Sequence, residues 1–259
     1  LPPEGVLHQL NDINQVFQDP AKDKVKKIRT EDISFKQILT LLDLKKGVDF
    51  TFYKQTTIRR RIARRMVLNN ISKLDDYLEH LNKIPAEIDT LLHDILIPVT
   101  EFFRDPRTFD NLANIAFPAL LKNKKSNEPF RVWTVGCSTG QEAYSVAISL
   151  FEFFSLQNEP RKIQVFATDI SESGIIHARS GFYSFNDAAS LSPGRLEKFF
   201  TRTEKGYQVN KTIRDICVFA NHNVLTNPPF AGIDLVTCRN VLIYMDSFLQ
   251  RKAMATFHY

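Results

Sequence analysis

The chain has 259 residues, 43% of them hydrophobic and 24% charged, with a formal net charge of +5. That length suits one large or two modest domains, and the composition belongs to a packed globular chain rather than a disordered one. No apolar run approaches a membrane-spanning helix, the opening Leu1-Pro2-Pro3-Glu4 lacks the basic and apolar regions of a signal peptide, and the scattered Cys137, Cys217 and Cys238 suit neither a disulfide framework nor a zinc site. A reducing cytoplasm is the simplest setting. The positive balance favours an acidic partner: nucleic acid, an anionic membrane or a Glu-rich protein surface.

Residues 1–30 read as a linker or short helix, with a solvated run at Lys22, Lys24, Lys26 and Lys27. From 31 to 97 the pattern is that of a small all-α domain. Ile33, Phe35, Ile38, Leu41 and Leu42 make one apolar face. A second helix near Thr57 buries Ile58, Ile62 and Met66 and sets Arg60, Arg61, Arg64 and Arg65 on the opposite side, within about 140° of arc. Such a charge run is ordinarily a solvated face. The lack of any acidic residue from Lys54 to Leu74 favours an anionic partner here. Ser72 and Asp75 resemble a capping box, and Pro85 opens a further helix that buries Ile88, Leu91, Leu92 and Ile95.

Pro98 ends the helical pattern, and Thr100-Glu101-Phe102-Phe103-Arg104-Asp105-Pro106 follows. The paired phenylalanines suit a packing plug, leaving Thr100 and Arg104 to face a cleft. Next, the apolar run Arg131–Val135 ends in Gly136-Cys137-Ser138-Thr139-Gly140-Gln141-Glu142, and Ala143, Val146, Ala147, Leu150 and Phe151 recur at helical spacing. This is a strand, a glycine turn and a helix, the opening unit of an open α/β sheet, whose carboxyl edge is where cofactors bind. Gly136 and Gly140 would let the backbone turn sharply and approach a ligand closely. The spacing is neither the dinucleotide fingerprint nor the P-loop, and without a Lys-Ser/Thr after Gly140 a phosphate cradle is excluded. An ordinary strand-to-helix turn is the competing reading.

A second strand runs over Ile163–Ala167 and ends at Thr168-Asp169, where a carboxylate can accept from both hydroxyls of a ribose. Ser171 caps a helix reaching Ala178. Residues 181–215 interrupt the alternation: Pro193-Gly194 and Lys205-Gly206 are turn signals, and Phe199–Thr203 with Tyr207–Val209 suggest a small β-hairpin in an insertion. The third strand is expected at Ile216–Ala220 and the fourth at Ile233–Cys238, extended by Val241–Tyr244, with a helix from Ser247.

Five stretches together, Tyr53-Lys54 with Arg59–Arg65, Val99–Asp105, Gly136–Ser145, Ala167–Ile170 and Cys238–Tyr244, make residues 33 to 259 similar to the chemotaxis receptor methyltransferases of the CheR type. The resemblance implies a Rossmann-like α/β methyltransferase domain at 98–259 carrying 181–215 as a β insertion, behind a helical receptor-docking domain at 31–97. It implies S-adenosylmethionine as cofactor, S-adenosylhomocysteine as product and receptor glutamates as substrate. The cofactor contacts it implies are Thr100, Arg104, Gly136, Glu142, Asp169, Asn223, Val224, Arg239 and Asn240. Of these, Asp169 would take the ribose hydroxyls, Glu142 the ammonium of the methionine moiety, Arg104 its carboxylate or the substrate's, and Asn223 the adenine. Tyr244 would lie near the transferred methyl, so Arg104 and Tyr244 are the expected catalytic residues. Arg60, Arg61, Arg64 and Arg65 would dock the acidic methylation helices of the receptors' cytoplasmic domain. No metal, nucleic acid or membrane insertion is expected. Glu142 could instead serve the N-terminal dipole of its helix. Gln141 stands where many relatives carry a second Glu, and Pro98 replaces a polar residue common in the family. The family's sheet normally has strands beyond Tyr259, so a longer parent chain is expected, and the opening residues resemble the tail of a fused methylesterase.

A glutamate is ionised near neutral pH and needs no general base to attack a sulfonium methyl, which leaves His177 and His222 incidental and assigns catalysis to alignment and water exclusion. Two alternatives compete. Asn227-Pro228-Pro229-Phe230 matches the box of nucleic-acid amino-methyltransferases, but it precedes the fourth strand, whose carboxyl end carries Cys238-Arg239-Asn240 instead. A non-catalytic module that binds S-adenosylmethionine or receptors is the other; Arg104, Asp169, Arg239, Asn240 and Tyr244 argue for chemistry.

Overall fold

The computed structural model describes residues 20–96, 99–122, 124, 125, 127–157 and 161–258, with backbone alone over 20–31. The readings placed on residues 1–19, on the side chains of Lys22 to Lys27 and on Pro98 lie outside the described residues. The chain divides into two compact units, one formed by residues up to 51 with 55–92, the other by 52–54 with 93 onward.

The first unit is helical: α1 (Pro20–Lys46), α2 (Gln55–Leu68), α3 (Leu74–Lys83) and the part of α4 (Pro85–Leu96) up to residue 92. Helix thus begins at Pro20, within the stretch read as a linker or short helix, and runs on into the expected domain. Phe35, Ile38, Leu39 and Leu42 of α1 are buried with Ile58, Ile62, Tyr77, Leu81 and Leu91, whereas Ile33 faces solvent. Positions 35, 38, 39 and 42 follow the three-and-four spacing of a single helix face, and 33 falls off it. The Ser72 capping box does not form. Lys73 is the N-cap of α3 with no side-chain cap bond, and the Asp75 carboxylate instead accepts from the Ser34 hydroxyl of α1.

The buried Glu87 organises this unit. It accepts from Arg65 Nε (2.9 Å) and Nη2 (2.6 Å), from Tyr77 Oη (2.9 Å) and from Asn69 Nδ2 (3.0 Å). Burial pushes its carboxyl up, but these donors outweigh that and hold it below the usual range. Arg65 is therefore an interior ion-pair partner, and its assignment to the exposed basic face is corrected. Arg60 and Arg64 are exposed and Arg61 is half-buried.

The second unit carries a four-stranded parallel sheet. Its elements are α5 (Pro106–Asn111), a π-helical turn (Leu112–Ala116), α6 (Phe117–Leu121), β1 (Phe130–Val135), α7 (Gln141–Leu156), β2 (Ile163–Asp169), α8 (Glu172–Ser180), β3 (Phe182–Ser184), α9 (Pro193–Phe199), β4 (Phe200–Arg202), β5 (Gly206–Val209), α10 (Lys211–Arg214), β6 (Cys217–Asn221), β7 (Leu235–Thr237) and α11 (Ser247–Phe257). Val132 pairs with Val165 and with Leu235, and Val165 with Cys217. The central strand is apolar on both faces, as burial between two layers demands. Phe130 and Val132 join the core built on α7. Trp133 and Val135 join Val224, Phe166, Phe230 and Phe257. From β1 the chain adds β2 and β6 on one side, then returns to lay β7 on the other, so the order reverses between β1 and β7, where ligands bind in such sheets.

Two local expectations change. The expected hairpin forms as β4 and β5, and β3 adds a third strand to make the antiparallel sheet β3-β5-β4. Val241–Tyr244 does not extend a strand: Asn240 adopts φ 57° and Leu242–Tyr244 form a 3-10 turn. That turn is pinned by the Lys54 N–H, which donates to the Tyr244 carbonyl (2.8 Å), and by pairing of Tyr53 with Met245. The Ser171 cap does form, its hydroxyl accepting from the Gly174 N–H at 3.1 Å.

Candidate active site

The glycine turn is held down by β2: the N–H groups of Gly136 and Cys137 donate to the Thr168 carbonyl at 2.7 and 3.0 Å. Gly136 and Gly140 have φ of 69° and 98°. A Cβ on Gly136 would collide with Val241 and one on Gly140 with Ala178 and Tyr183. The positions a Cβ would take at these glycines are therefore occupied by the protein's own side chains.

Asp169, at the end of β2, is tied into this turn. Its Oδ2 accepts from the Ser138 N–H and its Oδ1 from the Ser171 N–H, both at 2.8 Å. Burial raises its carboxyl above the usual range against the pull of those donors. Each oxygen retains a second lone pair, enough for two hydroxyls.

Glu142 stands in the first turn of α7. Arg239, just past β7, brings Nη1 to 3.6 Å from its Oε2. Burial pushes the Glu142 carboxyl up, and Arg239, the Thr237 hydroxyl and Arg104 pull it back only in part. Arg239 Nη2 donates to the Arg104 carbonyl (2.8 Å) and to Asp105 Oδ2 (2.6 Å). The Thr100–Asp105 segment is thereby fastened to the sheet edge. A second tie is the Phe103 N–H, which donates to Ser145 Oγ of α7 at 2.9 Å. Phe102 packs edge-on against Tyr183 and Phe200, and Phe103 against Phe109, so both rings are plugs. Arg104 donates to the Val99 carbonyl at 3.1 Å beside the half-buried Thr100.

Asn223 follows β6 in a turn closed by Asn227 Oδ1, which accepts from the Asn223 N–H (2.7 Å), and Val224 is buried on the sheet beneath. Asn240 is exposed, and Tyr244 is half-buried on its 3-10 turn. Apart from Thr100 and Arg104, which precede β1, the residues expected at a cofactor follow the carboxyl ends of the four parallel strands. The docking arginines belong to the first unit.

Three buried polar atoms at this edge have no hydrogen-bond partner: Ser138 Oγ, Glu142 Oε1 and Arg239 Nη1. Orphaned buried groups are costly unless something meets them. A carboxylate, a guanidinium and a hydroxyl suit a zwitterionic amino-acid group. Strain collects here too: of the five non-glycine residues with positive φ among those described, Phe103, Asp105, Ser138 and Asn240 border the edge. Ser138 and Asp105 were not singled out from the sequence. A small polar residue inside the glycine turn was the only signal for Ser138, and the partner of Asp105 lies 134 positions away. A separate cavity of about 440 Å³ lies farther along α7, against Phe103, Ser149 and Arg195. Its Arg195 is already paired with Glu152 (2.8 and 3.0 Å), and none of the expected cofactor residues lines it.

The family description "CheR methyltransferase, SAM binding domain" matches residues 98–259, and "CheR methyltransferase, all-alpha domain" matches 33–96. The chain belongs to the CheR methyltransferase family. Its second unit is the S-adenosylmethionine-binding domain, an α/β fold that follows an all-α domain along the chain. Relatives of this CheR chain include the chemotaxis protein methyltransferases of Listeria innocua (30% identical, 82% of this chain and 78% of the relative) and Escherichia coli K12 (28%, 89% and 80%). A Rhodobacter capsulatus protein described as an uncharacterized 104.1 kDa protein is 41% identical over 86% of this chain, which spans 23% of that relative's length. No helix among the described residues is long and apolar enough to cross a membrane.

Proposed function

We propose that this chain methylates glutamate side chains on the cytoplasmic domain of chemotaxis receptors, with S-adenosylmethionine as donor. The observation that carries the reading is the opposed pair of Glu142 and Arg239 at the switch crevice, whose Oε1 and Nη1 atoms are buried without a hydrogen bond, with Asp169 at the neighbouring strand end. The cofactor supplies a methyl group on a positively charged sulfur. Glu142 holds the ammonium, Arg239 or Arg104 the carboxylate, Asp169 the ribose, and Asn223 with Val224 the adenine; Thr100, Gly136 and Asn240 complete the enclosure. With the donor held there, a receptor carboxylate would take its methyl as an ester, the electron pair of the broken carbon–sulfur bond remaining on sulfur. Arg104 and Tyr244 align that carboxylate and exclude water. No base is required, and the histidines fit that economy: His222 is within 2.9 Å of the Pro228 carbonyl and stacks on Phe230, while His177 packs on Tyr183. Arg60, Arg61 and Arg64 offer a basic face for an acidic receptor helix.

A nucleic-acid amino-methyltransferase is disfavoured by its own box. Phe230 packs on Trp133 and stacks on Phe166, and Asn227 closes the Asn223 turn, so these residues are occupied in packing. The test is transfer of labelled methyl to receptor fragments followed by mild base. Release of label as methanol supports an ester. A base-stable N-methyl product, or no transfer by a chain that binds the cofactor, would overturn the proposal in favour of an amino-methyltransferase or a binding module.

A further inference from the structure

We infer that Asp105 is a positioning residue that holds the Arg239 guanidinium back from Glu142, keeping two opposite charges apart for an incoming amino-acid group; this rests on the cofactor reading above. Arg239 Nη1 and Glu142 Oε2 are 3.6 Å apart, too long for a hydrogen bond, and neither Nη1 nor Glu142 Oε1 has another partner. Left to itself, a buried guanidinium beside a buried carboxylate would close to a bidentate contact. Its other nitrogen prevents this: Nη2 is fixed by Asp105 Oδ2 at 2.6 Å and by the Arg104 carbonyl at 2.8 Å, while the guanidinium lies 5.5 Å over the Phe109 ring.

Asp105 is shaped for this task at the expense of its local one. It is the N-cap of α5, where aspartate normally accepts from the helix's first N–H groups, yet its side chain makes no cap bond. Its backbone adopts φ 59° and ψ 74°, a left-handed conformation, and so does Phe103 two residues earlier, at φ 52°. Without Asp105, Arg239 would collapse onto Glu142 and neutralise the carboxylate that an ammonium needs.

The test is titration of S-adenosylhomocysteine into the full chain and its Asp105→Asn, Asp105→Glu, Arg239→Gln and doubly substituted Asp105→Asn/Arg239→Gln forms, with melting curves beside each. Asparagine keeps the shape and tolerates positive φ, so Asp105→Asn should melt like the parent yet bind about tenfold more weakly, with KM for the donor raised and kcat at saturation kept. Asp105→Glu should recover part of the affinity. The double variant should bind no more weakly than Arg239→Gln alone, because no guanidinium remains to collapse. Parent-like binding by Asp105→Asn, or losses that multiply in the double variant, would overturn the inference. If Arg239→Gln binds like the parent, the cofactor reading itself falls; if it weakens binding and Asp105→Asn does not, only the role of Asp105 falls.

Discussion

The two carboxyls at the sheet edge are held above their ordinary range by burial, against hydrogen bonds at Asp169 and cationic neighbours at Glu142. Their ionised forms are the ones that an ammonium and a pair of hydroxyls bind. Affinity for S-adenosylhomocysteine should therefore fall as pH drops through those raised values, an acid limb lying above the ~4 typical of exposed carboxylates. For the free chain the sign is opposite. A carboxyl whose folded pKa exceeds its unfolded one binds the extra proton in the folded state, so stability declines as pH rises through the same window. Glu142→Gln should remove one of the two protons from the slope of affinity against pH and weaken binding at neutral pH by about tenfold, or ~1.4 kcal/mol. Calorimetry at several pH values checks both; an unaltered limb in the variant would contradict the role given to Glu142. The sequence made these residues readable because Asp169 ends an apolar strand and Glu142 opens the helix after the glycine turn. It placed Arg65 on the basic face and hid its pairing with Glu87, 22 positions away on another helix, as it hid the link between Asp105 and Arg239.

At the scale of elements, the glycine turn is fixed by packing as much as by conformation. Gly136→Ala should cost about 3 kcal/mol, from a positive φ and a Cβ driven into Val241. Adding Val241→Ala should return the overpacking part and leave the strain, a non-additivity that chemical denaturation reads directly. In the helical unit, Arg65→Ala should destabilise by about 3 kcal/mol or more by stranding the buried Glu87. Because the Glu87 carboxyl is depressed, its contribution is present above the unfolded-state value near ~4.3 and is lost as pH falls through the lower folded value. The parallel strands and most helices were legible because period and punctuation agree along the chain. The remaining elements were hidden for different reasons. Val241–Tyr244 looks like a strand until Asn240 turns it, β3 is only three residues long, and Asp75 leaves its capping box for Ser34.

At the scale of the whole molecule, the proposal joins a basic helix face to a methyl-donor site. Arg60→Glu with Arg64→Glu should raise KM for a receptor fragment about tenfold at low salt while leaving kcat, and the gap should narrow as salt rises, since exposed charges are screened. Equal kinetics at low salt would remove the docking face from the account. All of this depends on the carboxyl edge of the sheet being the cofactor site. The most direct measurement is calorimetric titration of the chain with S-adenosylhomocysteine beside an Asp169→Asn variant whose melting curve confirms that it folds. The account predicts saturable binding near the micromolar range, about −8 kcal/mol, weakened at least tenfold by the substitution. No binding by the folded parent chain, or equal binding by both, would contradict it.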